Sequence, residues 1–224
     1  YLELGAWSRA VDALRDALAE ATALGVHSTA GLVRHNLGLA LASGGAVAEG
    51  AAVEREAADG FAAQGHRRLE GFARAYLARI EARAGDLAAA EREALRAAEI
   101  VVDVPPSRAY ALAVLAQVML EKGEATRARE AAAEAATLLE TFERVEEGEG
   151  LIRLADAETR RATGDLAGAE TVIAEAARRL RERAARVSDA ALRATFLAAV
   201  PENARTLTLA ATWQNAVETP PPER

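Results

Sequence analysis

The apolar positions of this chain are mostly alanine and leucine, and its smallest residues recur on a period near forty. Five turn-like segments carry the period: Gly5-Ala6-Trp7, Gly45-Ala46-Val47, Gly85-Asp86-Leu87, Gly123-Glu124-Ala125 and Gly164-Asp165-Leu166. Their glycines lie 40, 40, 38 and 41 residues apart. Twelve residues after each glycine stand Ala17, Ala57, Ala97, Ala135 and Ala176, and five residues after stand Ala10, Gly50, Ala90, Ala128 and Ala169. Seven residues before the later four stand Gly38, Ala78, Ala116 and Ala157. All fourteen slots hold Ala or Gly, although the two types make up only a third of the chain, so composition alone does not produce the pattern. Antiparallel helices joined by a short turn approach closely only where side chains are small. Glycine at the turn supplies the left-handed angle that ends the first helix.

A period of forty divides into two helices of about 17 residues, each roughly 25 Å long, and two short turns. The spacing predicts pairs 28–43 with 47–64, 67–84 with 87–102, 106–122 with 125–141, and 144–163 with 166–186. Residues 6–24 form the second helix of a repeat whose first helix survives only as Tyr1 to Leu4. Gly25 and Gly65 close the second helices of the first two repeats, whereas Pro105-Pro106 before Ser107 breaks and restarts the chain further on. Beyond residue 186 the period ends. Ser188 or Asp189 caps a short helix to about Ala199. Pro201 starts another, 201–216, with Leu207, Leu209 and Trp213 as apolar contacts. The expected organisation is repeats over 1–186, the first truncated, capping helices over 187–217, and a disordered tail over 218–224.

Composition supports an all-α fold. Only nine residues are aromatic, and the apolar half of the chain is built from good helix formers. The absence of cysteine excludes disulfides and thiolate zinc sites. Net charge is −7, which opposes nucleic acid or an anionic membrane as the main partner. No apolar run approaches the roughly 18 residues of a membrane span. The chain starts at Tyr1 with no signal peptide and reads as a piece of something longer.

Several segments resemble the tetratricopeptide repeat. Asn36-Leu37-Gly38-Leu39-Ala40, with Gly45 seven residues after Gly38, resembles its first helix. Gly85-Asp86-Leu87-x-x-Ala90 and Gly164-Asp165-Leu166-x-x-Ala169 resemble its turn and second helix. The resemblance covers about residues 1–186 and implies a right-handed α-solenoid of antiparallel helix pairs, about five repeats of about 40 residues. The departures are a period longer than 34, Glu54 at a normally apolar slot, and Asp156 in place of the usual Leu, which puts the packing of the fifth repeat in question. The long period resembles the variant carried by large bacterial regulators of the maltose-activator type and by signalling ATPases and Ser/Thr kinases. The ending Phe196-Leu197-Ala198-Ala199-Val200-Pro201-Glu202-Asn203-Ala204-Arg205 resembles the close of that kinase and ATPase group. Membership would imply a cytoplasmic bacterial protein with catalytic domains upstream.

In this family the first helices line a concave groove. Counting from each turn glycine, the resemblance places there His35, Asn36 and Leu39; Phe72, Tyr76, Arg79 and Arg83; Tyr110, Val114, Gln117 and Glu121; and Leu151, Leu154, Glu158 and Arg161. Aromatic area with forked donors suits a peptide-binding surface. Equally, Phe72, Tyr76 and Tyr110 could pack between repeats. Asn36 matches one element of the carboxylate clamp found in some members, but Phe72 and Tyr76 stand where its basic residues belong.

No cofactor, metal or independent active site is expected. The three histidines, His27, His35 and His66, do not pair at ligand spacing, and no serine sits in a Gly-x-Ser-x-Gly elbow. Arg178, Arg179, Arg181, Arg183 and Arg186 are interleaved with Glu175 and Glu182 and read as a solvated, ion-paired face. Glu143, Glu146, Glu147 and Glu149 favour the positive end of a helix dipole. The expected function is a scaffold that binds a protein or peptide in the groove; the alternative is an intramolecular sensor controlling an upstream kinase or ATPase domain. Self-association through Trp7, Val11 and Leu14 of the truncated repeat is a further expectation.

Overall fold

A computed structural model describes residues 1–141 and 148–218. A 3-10 turn, Leu2–Leu4, precedes α1 (Trp7–Ala23), α2 (His27–Ser43), α3 (Val47–Ala63), α4 (Arg67–Arg83) and α5 (Leu87–Ile100). There follow α6 (Pro105–Glu121), α7 (Ala125–Glu140), α8 (Glu149–Ala162), α9 (Leu166–Ala185), α10 (Ala190–Ala198) and α11 (Pro201–Glu218). No strand occurs among the described residues. The start expected for the eighth helix, with Glu143, Glu146 and Glu147, and the tail after Glu218 lie outside the described residues.

The turns inside each pair share one geometry. Gly45 and Gly85 take φ of +104° and +87°, a region that costs a residue with a Cβ but not glycine. The next N–H then reaches back into the last helical turn: Ala46 N donates to Leu41 O at 2.9 Å and Asp86 N to Glu81 O at 3.0 Å. The Asp86 and Asp165 side chains cap α5 and α9 by accepting from Ala89 N and Gly168 N.

Thirteen of the fourteen small slots are buried, and Ala17 is half-buried. The facing pairs Ala78 and Ala90, Ala116 and Ala128, and Ala157 and Ala169 are all 0% exposed. Between α2 and α3 even alanine is too large: a Cβ at Gly50 would stand 2.7 Å from Gly38 O. A second small ladder lies two helical turns, seven residues, before the first. A Cβ at Gly31 would meet the Phe61 ring at 3.0 Å, and one at Gly71 would meet Val101 Cγ1 at 2.2 Å.

The two departures from the repeat are resolved by pairing. Asp156 is buried, yet its Oδ1 accepts from Arg129 Nη1 and Arg160 Nε, each at 3.0 Å, so α8 is tied to α7 and the packing there is intact. Glu54 is fully buried and bonds His35.

The first helices of successive pairs, α2, α4, α6 and α8, pack on one another and form the inner face. Helix α11 extends this row by packing on α8 and α9, with Leu209, Ala210 and Trp213 against Leu154, Ala157, Ala169 and Ile173. Helix α10 then meets the other end of the chain. Thr195 Oγ1 donates to Leu4 O at 2.7 Å, a Cβ at Gly5 would lie 3.0 Å from Ala199 Cβ, and Leu4 joins Leu180, Phe196 and Val200 in one apolar cluster. The array thus closes on itself.

Candidate functional site

The inner face encloses two adjoining cavities. One, of about 300 Å³, is walled by α2, α4 and α6 and closed by the 3-10 turn and the start of α11. The other, of about 710 Å³, lies between α6, α8 and α11. The first collects Asn36 and Leu39 from α2, Tyr76, Arg79 and Arg83 from α4, Tyr110, Val114, Gln117 and Glu121 from α6, and Leu151 from α8. The second adds Leu154, Glu158 and Arg161. His35 and Phe72 line neither, because both turn into the helix stack.

Residues expected as aromatic platforms are largely core. Tyr76 and Tyr110 are 5% and 2% exposed. They stand in a ladder of rings: His35 to Tyr76 at 5.2 Å, Tyr76 to Tyr110 at 5.2 Å and Tyr110 to Phe72 at 5.6 Å. Edge and tilted ring contacts of this kind join α2, α4 and α6 rather than presenting area to a partner. Gly148, at φ +89° before α8, leaves the space into which the Tyr110 ring fits. Val114, Leu151 and Leu154 are likewise buried. The surface left for contact is polar: Asn36, Arg79, Gln117, Glu158 and Arg161 are half-buried, and Arg83 and Glu121 are exposed.

Helix α11 meets this surface with matched charges. Arg79 Nη2 donates to Glu202 Oε2 at 2.8 Å and Nη1 to Tyr110 Oη at 3.0 Å, while its guanidinium lies 5.8 Å from the Tyr76 ring centre. Burial alone would lower the Arg79 pKa; Glu202 and the two tyrosine hydroxyls hold it well above its usual value. Three residues after Glu202, Arg205 Nε donates to Glu158 Oε1 at 2.9 Å. Arg161 lies 4.6 Å from the Trp213 ring centre. Burial, and then the nearby Glu158, push the Glu121 carboxyl above its usual range.

Elsewhere the charges are structural. Arg178 bonds both Glu175 and Glu182, and Arg179 bonds Glu175 and Glu149, so two of the five arginines of the basic run are ion-paired, while Arg183 lies over the Phe196 ring. The two guanidiniums hold the Glu175 carboxyl down at about 2. Among the described residues no group of three His, Cys, Asp or Glu side chains is placed to hold a metal, and no helix is long and apolar enough to cross a membrane. Trp7, Val11 and Leu14 of α1 are half-buried.

Comparison with solved structures gives this geometry its context. The crystal structure of BtubC (BKLC) from P. vanneervenii superposes with a TM-score of 0.62 over 98% of this chain and 96% of that one, at 16% identity. The nearly identical TPR-like repeats of a putative kinesin light chain from Podosopora anserina superpose at 0.54 over 83% of this chain and 89% of that one, at 18% identity. A substituted form of those repeats gives 0.55 over 83% and 88%, also at 18% identity. The fold is a TPR-like α-solenoid. No protein-family model matches the sequence, and no curated protein does.

In this TPR-like solenoid, sequence reasoning found the inner helices and missed what faces them. Leu209 and Trp213 are buried as cap contacts, as their apolar spacing in 201–216 implied. Glu202 and Arg205, on the same helix, were not identified. Their three-residue spacing was visible, but nothing local tells which repeats a terminal helix will reach.

Proposed function

We propose that this solenoid is a protein-interaction module that takes a peptide or protein segment on its inner face and carries out no chemistry of its own. The observation that carries this reading is the polar, partly open row Asn36, Arg79, Arg83, Gln117, Glu121 and Glu158, set on rigid helices around a concavity. A solenoid offers such an extended inner wall to an extended chain or a helix. Besides the buried Tyr76 and Tyr110, the titratable groups lining the cavities are arginines and glutamates, with no nucleophile held by a base and an orienting group among the described lining residues. The partner is a protein segment rather than nucleic acid or membrane, given the net charge of −7.

A second reading has one observation in its favour. Helix α11 already engages Arg79 and Glu158 from within the same chain. The inner face is therefore suited to an intramolecular contact, as it would be in a cytoplasmic regulator where the repeats govern an attached kinase or ATPase domain.

Selection of helical and extended peptides against the full chain tests the interaction reading. Gln117 lines both cavities, so Gln117→Trp should abolish binding of the selected peptides, while Ala52→Leu on the outer surface should not. Peptides indifferent to Gln117→Trp would place the binding surface on the convex face and end the proposal.

A further inference from the structure

The contact made by α11 contains a recognition rule that the rest of the inner face repeats. Six residues before the turn glycines stand Leu39, Arg79, Gln117 and Glu158. This row is basic in the third repeat, on α4, and acidic in the fifth, on α8. Helix α11 satisfies both ends, giving Glu202 to Arg79 and Arg205 to Glu158. Glu202 and Arg205 are three apart and share one helix face. The carboxylate lies in the first turn of α11, where the helix dipole favours it.

One turn further along the same helices, two residues before the glycines, stand Ser43, Arg83, Glu121 and Ala162. This row has the same polarity, basic on α4 and acidic on α6. Ser43, Arg83 and Glu121 all line the smaller cavity. Arg83 and Glu121 are exposed, and neither makes a hydrogen bond or ion pair with a described residue. The Glu121 carboxyl, though its side chain is exposed overall, is pushed upward by partial burial and by Glu158, the situation that an arriving cation relieves.

We propose that the row Ser43, Arg83 and Glu121 is the recognition strip for a partner helix lying alongside α11 in the same direction, with a carboxylate near its start and a cationic side chain three or four residues later. This rests on the interaction reading above and specifies its partner. The carboxylate pairs with Arg83, and the cation pairs with Glu121. On α11 a pair three residues apart already reaches from Arg79 of α4 to Glu158 of α8, so the same spacing suits the charges on the adjacent α4 and α6. Opposed charges across a contact of this kind set register and partner choice more than they set raw affinity.

The test uses the full chain and, as probe, a fluorescein-labelled peptide with the sequence of residues 199–214, which carries the required acid and base. Anisotropy should show saturable binding. The double reversal Arg83→Glu with Glu121→Arg should weaken it by about tenfold or more. A peptide with Glu202→Arg and Arg205→Glu should then recover the loss on the reversed chain only. Both substituted side chains are exposed, so the thermal melt should stay unchanged. Binding abolished by Gln117→Trp yet indifferent to the reversal would overturn the strip and leave the inner face as the binding surface. Binding indifferent to both would overturn the two readings together. Equal competition by free glutamate and arginine would show a small-ligand site and overturn the helix assignment, as would the absence of saturable binding.

Discussion

Glu54 bonds His35 Nδ1 through Oε1 at 2.5 Å while its other oxygen, Oε2, is buried without a hydrogen-bond partner among the described residues. The pair joins α2 to α3 at a slot that holds leucine, alanine or isoleucine in the other repeats: Leu14, Ala94, Ala132 and Ile173. Burial pushes the Glu54 pKa up, and His35 only partly offsets this.

His35→Ala should therefore cost about 3 kcal/mol, because it strands a buried carboxylate. His35→Leu with Glu54→Leu should recover that loss, and urea denaturation of the single and double variants checks both. The sign of the pH effect follows from the raised pKa. Well below the ordinary value of 4.5, both folded and unfolded chains carry the proton and Glu54 costs little. As pH rises, the unfolded chain ionises first and the fold loses stability until the buried group ionises too. Glu54→Gln removes this loss, so its advantage in Tm over the parent should grow between pH 4 and pH 7.

Tyr76 and Tyr110 provide a second test, now of stability rather than capture. Tyr110→Ala should cost about 3–5 kcal/mol, since it empties the ring position between α4, α6 and Gly148. Tyr110→Phe keeps the volume and removes the hydroxyl that accepts from Arg79, a cost of about 1 kcal/mol. Equal effects in thermal melts would show that the hydroxyl, not the ring, holds the ladder.

The Arg79 and Glu202 pair should register as coupling. In a double-mutant cycle with Arg79→Ala and Glu202→Ala, the interaction energy should be about 1 kcal/mol, because both side chains retain 20% of their exposure. Hydrogen exchange in α11 should quicken in either single variant. Additive effects would mean that the contact orients α11 without holding it.

Small-slot packing gives the sharpest contrast. Ala116→Leu or Ala128→Leu should each cost about 2 kcal/mol or more, because both sites are closed between α6 and α7. Ala52→Leu, on the exposed side of α3, should leave the midpoint unchanged.

The repeat was legible in the sequence because close helix approach admits only alanine or glycine, and Gly38, Ala78, Ala116 and Ala157 announce themselves by identity alone. The ladder of Gly31 and Gly71 was equally periodic but passed unnoticed, since its partners are large, Phe61 and Val101. Asp156 was misread as a defect. A buried acid looks disruptive until Arg129, 27 residues away, is known to reach it. The aromatic residues were placed on the right helices, but register alone does not separate a ring that faces a groove from one wedged beneath it. Glu202 depended on the curvature of the whole array, which is a sum of small rotations that no local pattern encodes.

The bond from Thr195 to the carbonyl of Leu4 spans 191 residues. Open repeat arrays fray from their termini, each unit leaning only on its neighbours, so their unfolding can proceed piecemeal. Here the turn before α1 and helix α10 also meet, so the first and last parts of the described array lean on each other. The chain should therefore melt in one concerted transition, and severing this single clasp should split it into two.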